Sequence, residues 1–402
     1  MNELKEPKFD QDCRDAVLGL RSALLQLYRE VDADPNAPQE VCRRFGLNKN
    51  LSWKISRIIQ SEDALAAVPN IPGSSGLDIL LAALERGGAD SASIGQVREA
   101  SAEFERMVTV HTGDRAALEL TLDSMGGNGA ALERSRRLAF QGNSGIWGIQ
   151  CQTRVAAEFV APSRENPDLL DLAFVAGWTG VRRLRSINRW PAFQIYLRHD
   201  DGSRVPDNSN NLPLAPDDNG GSWMLDQFCT GAMPEIHARQ TPDGICYEFG
   251  DGPVGRTGEF ACFYGNRRPQ AVSRFASTID ALGEFHVGVT IPAVVLLFDV
   301  FVHRDLPEAL SPEVLVRGRL QTHFDHEDRS LIQLPMRTRV HDLGRNPSVS
   351  TPHVTGYTRL IDTAMTANGW DRSDFHCLRL VLEYPPMPST VTMQYGLPSG
   401  ND

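Results

Sequence analysis

The chain has 402 residues, with 40 Lys+Arg against 51 Asp+Glu, a formal net charge of -11 and 41% hydrophobic residues. At about 100 to 200 residues per domain, that length accommodates two or three domains with real cores. The acidic balance excludes coating of nucleic acid or anionic membrane through bulk charge, so any polyanion contact needs a local basic patch.

The N-terminal stretch is polar and acidic with no apolar core segment, so no secretory signal is expected. The longest apolar run, residues 287–302, contains Pro292 and Asp299. It is shorter than the ~20 residues of a spanning helix, so no membrane contact is expected. The seven cysteines, Cys13, Cys42, Cys151, Cys229, Cys246, Cys262 and Cys377, show no two-residue spacing of a zinc or redox motif. They read as buried thiols of a cytoplasmic protein.

From residue 10 to 139 apolar residues recur at three and four, as in Val17, Leu20, Leu24, Leu27 and Val31, the spacing of one helix face. Asp34-Pro35-Asn36 ends the first helix, residues 69–76 (PNIPGSSG) read as a linker, and the glycines of residues 125–129 separate later helices. Beyond about Gly142 the pattern changes to short β-type runs: 153–160, 170–175, 192–198, 259–264, 285–302, 313–323 and 378–384. Helices are expected at 274–282 and 358–367, and a polar surface loop at 200–222. The expected fold is therefore α+β and multidomain: a helical region with a helix-turn-helix over 1–72, a helical coupling region over 73–142 and a β-rich α+β domain over 143–402.

One constellation carries a mechanism. In residues 37–60, APQEVCRRFGLNKNLSWKISRIIQ, Pro38 suits a first helical position and Val41 and Phe45 share a face. Gly46 follows where the chain must turn, Leu47 can plug the corner, and Asn48 can cap a second helix whose apolar seam is Leu51, Ile55 and Ile58. This resembles the helix-turn-helix of bacterial transcription regulators, with Gly46 as the turn glycine and Cys42 as the small residue at the helix crossing. Leu51 stands one position earlier than the usual pattern, and Trp53 is large for a groove-reading position.

The resemblance implies that the second helix enters the major groove of double-stranded DNA. Its outward residues would be Lys49, Asn50, Ser52, Trp53, Lys54, Ser56 and Arg57, assisted by Arg43 and Arg44. Against those five bases the segment holds one acid, Glu40, giving +4 within a molecule at -11. The competing reading is a structural hairpin with a solvated basic side. Arg134, Arg136 and Arg137, and Arg182, Arg183, Arg185 and Arg189, form two further basic clusters expected to be solvated or salt-bridged, with Trp190 in a core.

Catalytic readings fail on context. His323, Asp325 and His326 could suggest a metal-dependent hydrolase, but strand alternation divides them between faces. Residues 250–255 have GxGxxG spacing, yet a strand rather than a helix should follow, so a turn between strands is expected. His303-Arg304-Asp305 lacks the other parts of a kinase, and adjacent His376 and Cys377 point oppositely on a strand. The tail, 391–395, reads as a strand closing its own domain's sheet.

The sequence thus leads to a non-enzymatic regulator of transcription without a cofactor, paired as a homodimer. Its C-terminal domain would take a small-molecule or protein effector. A homo-oligomeric scaffold is the second reading and a metal-dependent hydrolase the third.

Overall fold

The computed structural model describes residues 8–125, 129–196, 211–214, 223–241, 244–277, 281–319, 332–336 and 338–400. The chain divides into two compact units, Met1–Leu132 and Glu133–Asp402, and the layout is α+β and multidomain. Among the described residues no helix is long and apolar enough to cross a membrane. The expected loop at 200–222 and the histidine cluster at 323–328 lie largely or wholly outside the described residues.

The first unit is helical: α1 (Phe9–Glu30), α2 (Pro38–Phe45), α3 (Lys49–Gln60), α4 (Ala64–Ala67), α5 (Ser74–Arg86), α6 (Ser91–His111) and α7 (Arg115–Ser124). The three-four spacing in α1 buries Val17, Leu20, Leu24 and Leu27. α1 runs antiparallel to α6, since His111 Nε2 lies 2.9 Å from Asp12 Oδ2 at one end and Ser93 donates to Glu30 at the other.

The boundary expected at residue 72 is not observed. Leu20 and Ile55 share one apolar cluster with Leu80, Val97, Phe104 and Leu118 from beyond it. The supposed linker is a structural joint: Ile71 is buried, and Arg115 donates to the carbonyls of Ile71 (2.9 Å) and Pro72 (3.1 Å). The second boundary also differs, because the unit division falls ahead of Glu133 within α8 (Gly129–Trp147), not at 142. Further along α8, Phe140 packs against Tyr384, with ring centroids 5.5 Å apart.

The second unit is built on β1 (Ile149–Pro162), β2 (Leu169–Arg183), β3 (Trp190–Tyr196), β4 (Leu212–Pro213), β5 (Thr230–Gly231), β6 (Ile236–Thr241) and β7 (Gly244–Phe249). It continues with β8 (Phe260–Ser273), β9 (Leu282–Val289), β10 (Ala293–His303), β11 (Glu313–Gly318), β12 (Val340–Arg345), α9 (Tyr357–Ala367), β13 (Phe375–Glu383) and β14 (Ser389–Gly396). The largest sheet has the order β12-β13-β10-β1-β2-β8-β4, with β5 also on β8. β1 and β10 pair in parallel, whereas the other named pairs in this sheet are antiparallel. Two three-stranded sheets, β11-β14-β9 and β3-β7-β6, complete the unit.

β1 shows why its sequence is nearly continuous in apolar residues. Val155, Ala157 and Phe159 face α9, while Ala156 and Val160 face β9 and β14, so both sides of the strand are buried. Two polar residues on that second side fasten the layers. Arg154 Nε donates to the Gly288 carbonyl at 3.1 Å, and the His286 N–H donates to Glu158 Oε1 at 3.0 Å.

The run at 285–302 is two strands, broken at Ile291-Pro292 ahead of β10. The helix expected at 274–282 is a further correction. Residues 274–277 are extended or bent, with the Ala276 N–H donating to the Pro398 carbonyl at 2.9 Å, and Leu282 opens β9. Apolar spacing alone did not reveal that pairing partner. The tail strand is β14, central between β9 and β11 of its own unit.

Candidate nucleic-acid interface

Helix, tight turn and helix appear over residues 38–60. Gly46 adopts φ 65°, the left-handed conformation that glycine takes without a Cβ penalty, and the Gly46 and Leu47 N–H groups both return to the Cys42 carbonyl. Leu47 is buried in the corner, and the Cys42 thiol donates to the Leu47 carbonyl at 3.0 Å. Asn48 is the N-cap of α3, its side-chain oxygen accepting from the Asn50 N–H at 2.8 Å.

The inward face of α3 holds Ile55 and Ile58, and two of the predicted contact residues as well. Ser52 is a correction: it is 1% exposed and its hydroxyl donates to the Pro38 carbonyl at 2.6 Å. Ser56 is likewise buried, donating to the Pro35 carbonyl at 2.5 Å. These hydroxyls bond α3 to the start of α2 and the segment before it, so neither is available to a groove.

The outward face carries Lys49, Asn50, Trp53 and Arg57, all exposed, with Lys54 half-buried beside them. Trp53 is 47% exposed, and the Arg57 guanidinium lies 4.4 Å from the centre of its ring. This four-residue spacing places a cation on an aromatic face without using the guanidinium's in-plane donors. Arg43 is exposed on α2, its Nε 3.4 Å from the Gln39 carbonyl. Arg44 is held elsewhere, donating to the Asp32 carbonyl at 2.7 Å and lying over Phe45. Among the described residues, Arg43, Lys49, Lys54 and Arg57 make no ion pair with a carboxylate.

The other basic clusters have structural work. Arg136 donates to the Glu383 carbonyl at 2.7 Å, burial lowering its proton affinity, and Arg137 lies over Tyr384. Arg185 donates to the Ile146 carbonyl at 2.9 Å, and Arg189 meets Glu248 at 3.5 Å. Arg183 is 1% exposed and explains the glycine-rich segment at 250–255. Its guanidinium donates to the Gly250 carbonyl, and its own carbonyl accepts from the Gly255 N–H at 2.9 Å. A Cβ at Gly252 would come within 2.7 Å of its Nη1. The loop wraps an arginine between β7 and β8, as a turn between strands should, and only a three-residue 3-10 turn, Arg256–Gly258, rather than an α-helix, follows it before β8.

No group of three metal-ligating side chains occurs among the described residues, and the predicted His323, Asp325 and His326 lie outside them. Cys377 is fully buried and His376 half-buried on the opposite side of β13.

A second feature was invisible in the sequence. A cleft of about 330 Å³ opens where β1 and β10 end, the carboxyl side of the parallel pair. Open α/β sheets place ligand crevices at this end of parallel strands. Trp370 forms one wall, its ring tilted by 48° against Phe375 and stacked on Phe159. Arg164 and Arg274 line it, donating to the backbone carbonyls of Gly369 and Asp305, both at 2.7 Å. His303 lies beside them, and burial holds its ring below the usual histidine range. Asp374 also lines the cleft but is occupied by Arg304 at 3.0 Å. These residues come from four separate stretches between Ala161 and Phe375, and no spacing announces them. No protein-family model matches this chain, and no curated protein matches it.

Proposed function

We propose that the helical unit binds double-stranded DNA through α3 and that the β-rich unit receives an effector, making the protein a non-enzymatic regulator of transcription. The observation carrying this reading is the set of unpaired cations, Arg43, Lys49, Lys54 and Arg57, on the outward side of a capped helix-turn-helix. Elsewhere Arg136, Arg137, Arg183, Arg185 and Arg189 of the predicted basic clusters are engaged by carbonyls, rings or a carboxylate, whereas these four retain donors for phosphates. Lys49 and Asn50 stand in the first turn of α3, the end from which such helices reach base edges. A homodimer belongs to the proposal because one short helix covers only a half-site. The cleft beside Trp370, with two guanidinium groups, suits a small effector carrying an anionic group and a planar ring.

The test is duplex binding by the full-length protein across a salt series, with genomic fragments as probes and light scattering for the molar mass. Affinity should fall steeply with salt. Lys49→Ala and Arg57→Ala should each weaken binding several-fold and reduce the logarithmic salt slope by about one. No binding at low salt by a folded, dimeric protein would leave α2 and α3 as a structural hairpin and bring the scaffold reading forward.

A further inference from the structure

β5 and β8 pair antiparallel through Thr230↔Ala261 and Gly231↔Phe260. Continued one step, that register sets Cys229 opposite Cys262. Directly opposed antiparallel residues have Cα separations of about 4.5 to 5.5 Å, inside the range that a disulfide spans. The two sulfurs differ in surroundings. Cys229 is half-buried, and the Phe263 N–H points at its Sγ from 3.4 Å; Cys262 is fully buried against the aromatic cluster of Trp178 and Phe249.

We propose that Cys229 and Cys262 are an oxidant-responsive modification site, closing to an intramolecular disulfide when a hydroperoxide reaches Cys229. The Cys229 thiolate attacks the peroxide oxygen: the S–O bond forms, the O–O bond breaks, and the leaving alkoxide or hydroxide takes up a proton. The Cys262 sulfur then attacks the resulting sulfenic acid, forming the S–S bond and breaking S–O. Water leaves with the Cys262 proton. Two thiols lose two electrons and two protons, and one hydroperoxide is reduced to water and an alcohol, or to two waters.

The electrostatics agree with this division of labour. The neighbouring Cys262 thiol, helped by the Phe263 N–H, holds the Cys229 thiol below the usual cysteine range, while Cys262 itself is pushed well above it. Cys42 is an internal control, also half-buried, but with no cysteine across from it and its thiol closer to the Leu47 carbonyl (3.0 Å) than the Cys229 thiol is to those of Leu225 (3.5 Å) and Phe263 (3.7 Å).

The experiment treats the full-length protein with hydrogen peroxide, blocks remaining thiols with iodoacetamide and maps peptides without reduction. The expected product is a Cys229–Cys262 cross-linked peptide that dithiothreitol abolishes. Before oxidation, iodoacetamide should alkylate Cys229 of the unaltered protein at least tenfold faster than Cys42. In Cys262→Ala, dimedone should trap a sulfenic acid at Cys229. Absence of the cross-linked peptide, or cross-links only between separate chains, overturns the proposal, and so does alkylation of Cys229 no faster than Cys42. The wild-type rates stand even where the alanine variant fails to fold.

Discussion

In the helical unit the side chains removed from water are almost all hydrocarbon, with Ser52, Ser56 and Ser93 as the polar exceptions; the β-rich unit buries Arg154, Arg183, Glu248, Asn266 and Asp299 as well. The reason is geometric. A helix satisfies its own backbone, so packed helices need only complementary apolar ridges. Stacked sheets share no backbone hydrogen bonds between layers, and hydrocarbon contacts alone leave the sliding of one layer over another weakly specified. Arg154 to the Gly288 carbonyl and Glu158 to the His286 N–H supply that specification at two nearby points of β9. Asp299 does the same for α9, accepting two hydrogen bonds from Arg379 (2.9 and 2.7 Å) and one from the Tyr357 hydroxyl (3.0 Å).

Removing Asp299 is the strongest way to break this contrast. Asp299→Ala strands the Arg379 guanidinium and should cost about 3 to 5 kcal/mol. Urea unfolding followed by tryptophan fluorescence is a suitable readout, since of the six tryptophans only Trp53 lies in the helical unit. A midpoint unchanged from wild type would show that the apolar layers alone hold α9.

Glu158 sharpens the comparison through pH. Burial pushes its carboxyl up to about 7, with only the His286 neighbourhood opposing. The unfolded chain ionises near the ordinary carboxylate range while the folded one retains its proton, so this group costs stability as pH rises through that window toward 7. Glu158→Gln keeps an acceptor for the His286 N–H and should stabilise the unit at pH 8 by on the order of 2 kcal/mol, with little effect at pH 4. Parallel stability curves for the two proteins from pH 4 to 8 would remove Glu158 from the account.

The smallest effect belongs to the helical unit. Asn48→Ala deletes the cap on α3 and should cost about 1 kcal/mol, seen as earlier loss of helical circular dichroism. A loss as large as that of Asp299→Ala would mean that polar contacts dominate both units.

Much of the helical unit was legible in the sequence because its rule is local. Pro38, Gly46 and Asn48 mark their positions through backbone preferences, and the spacing of Leu20, Leu24 and Leu27 names the buried face. Ser52 misled because its polarity suggested an outward position, although it stands three residues before Ile55 on the buried face, where its hydroxyl found the Pro38 carbonyl. In the β-rich unit individual strands were visible, but the order of the sheet was not. Nothing in β1 names β10 as its neighbour, nor tells that Arg164, Arg274 and Trp370 meet at one cleft. Arg183 and the glycines at 250–252 show the same limit, since a ligand loop and a wrap around an arginine use the same residues for the same reason, close approach without a Cβ.

The parallel seam also sets a timetable for synthesis. Cys151 on β1 waits for Ala293 on β10, so roughly 140 residues must follow before that edge can be covered. At 5 to 20 residues per second the delay is about 7 to 28 s, long compared with hairpin formation in microseconds. β1 can pair with β2 at once, but its other edge stays open, with apolar residues on both faces, until β10 emerges. The nascent β-rich unit is therefore expected to depend on holding chaperones or slow elongation in a way that the locally wired helical unit is not.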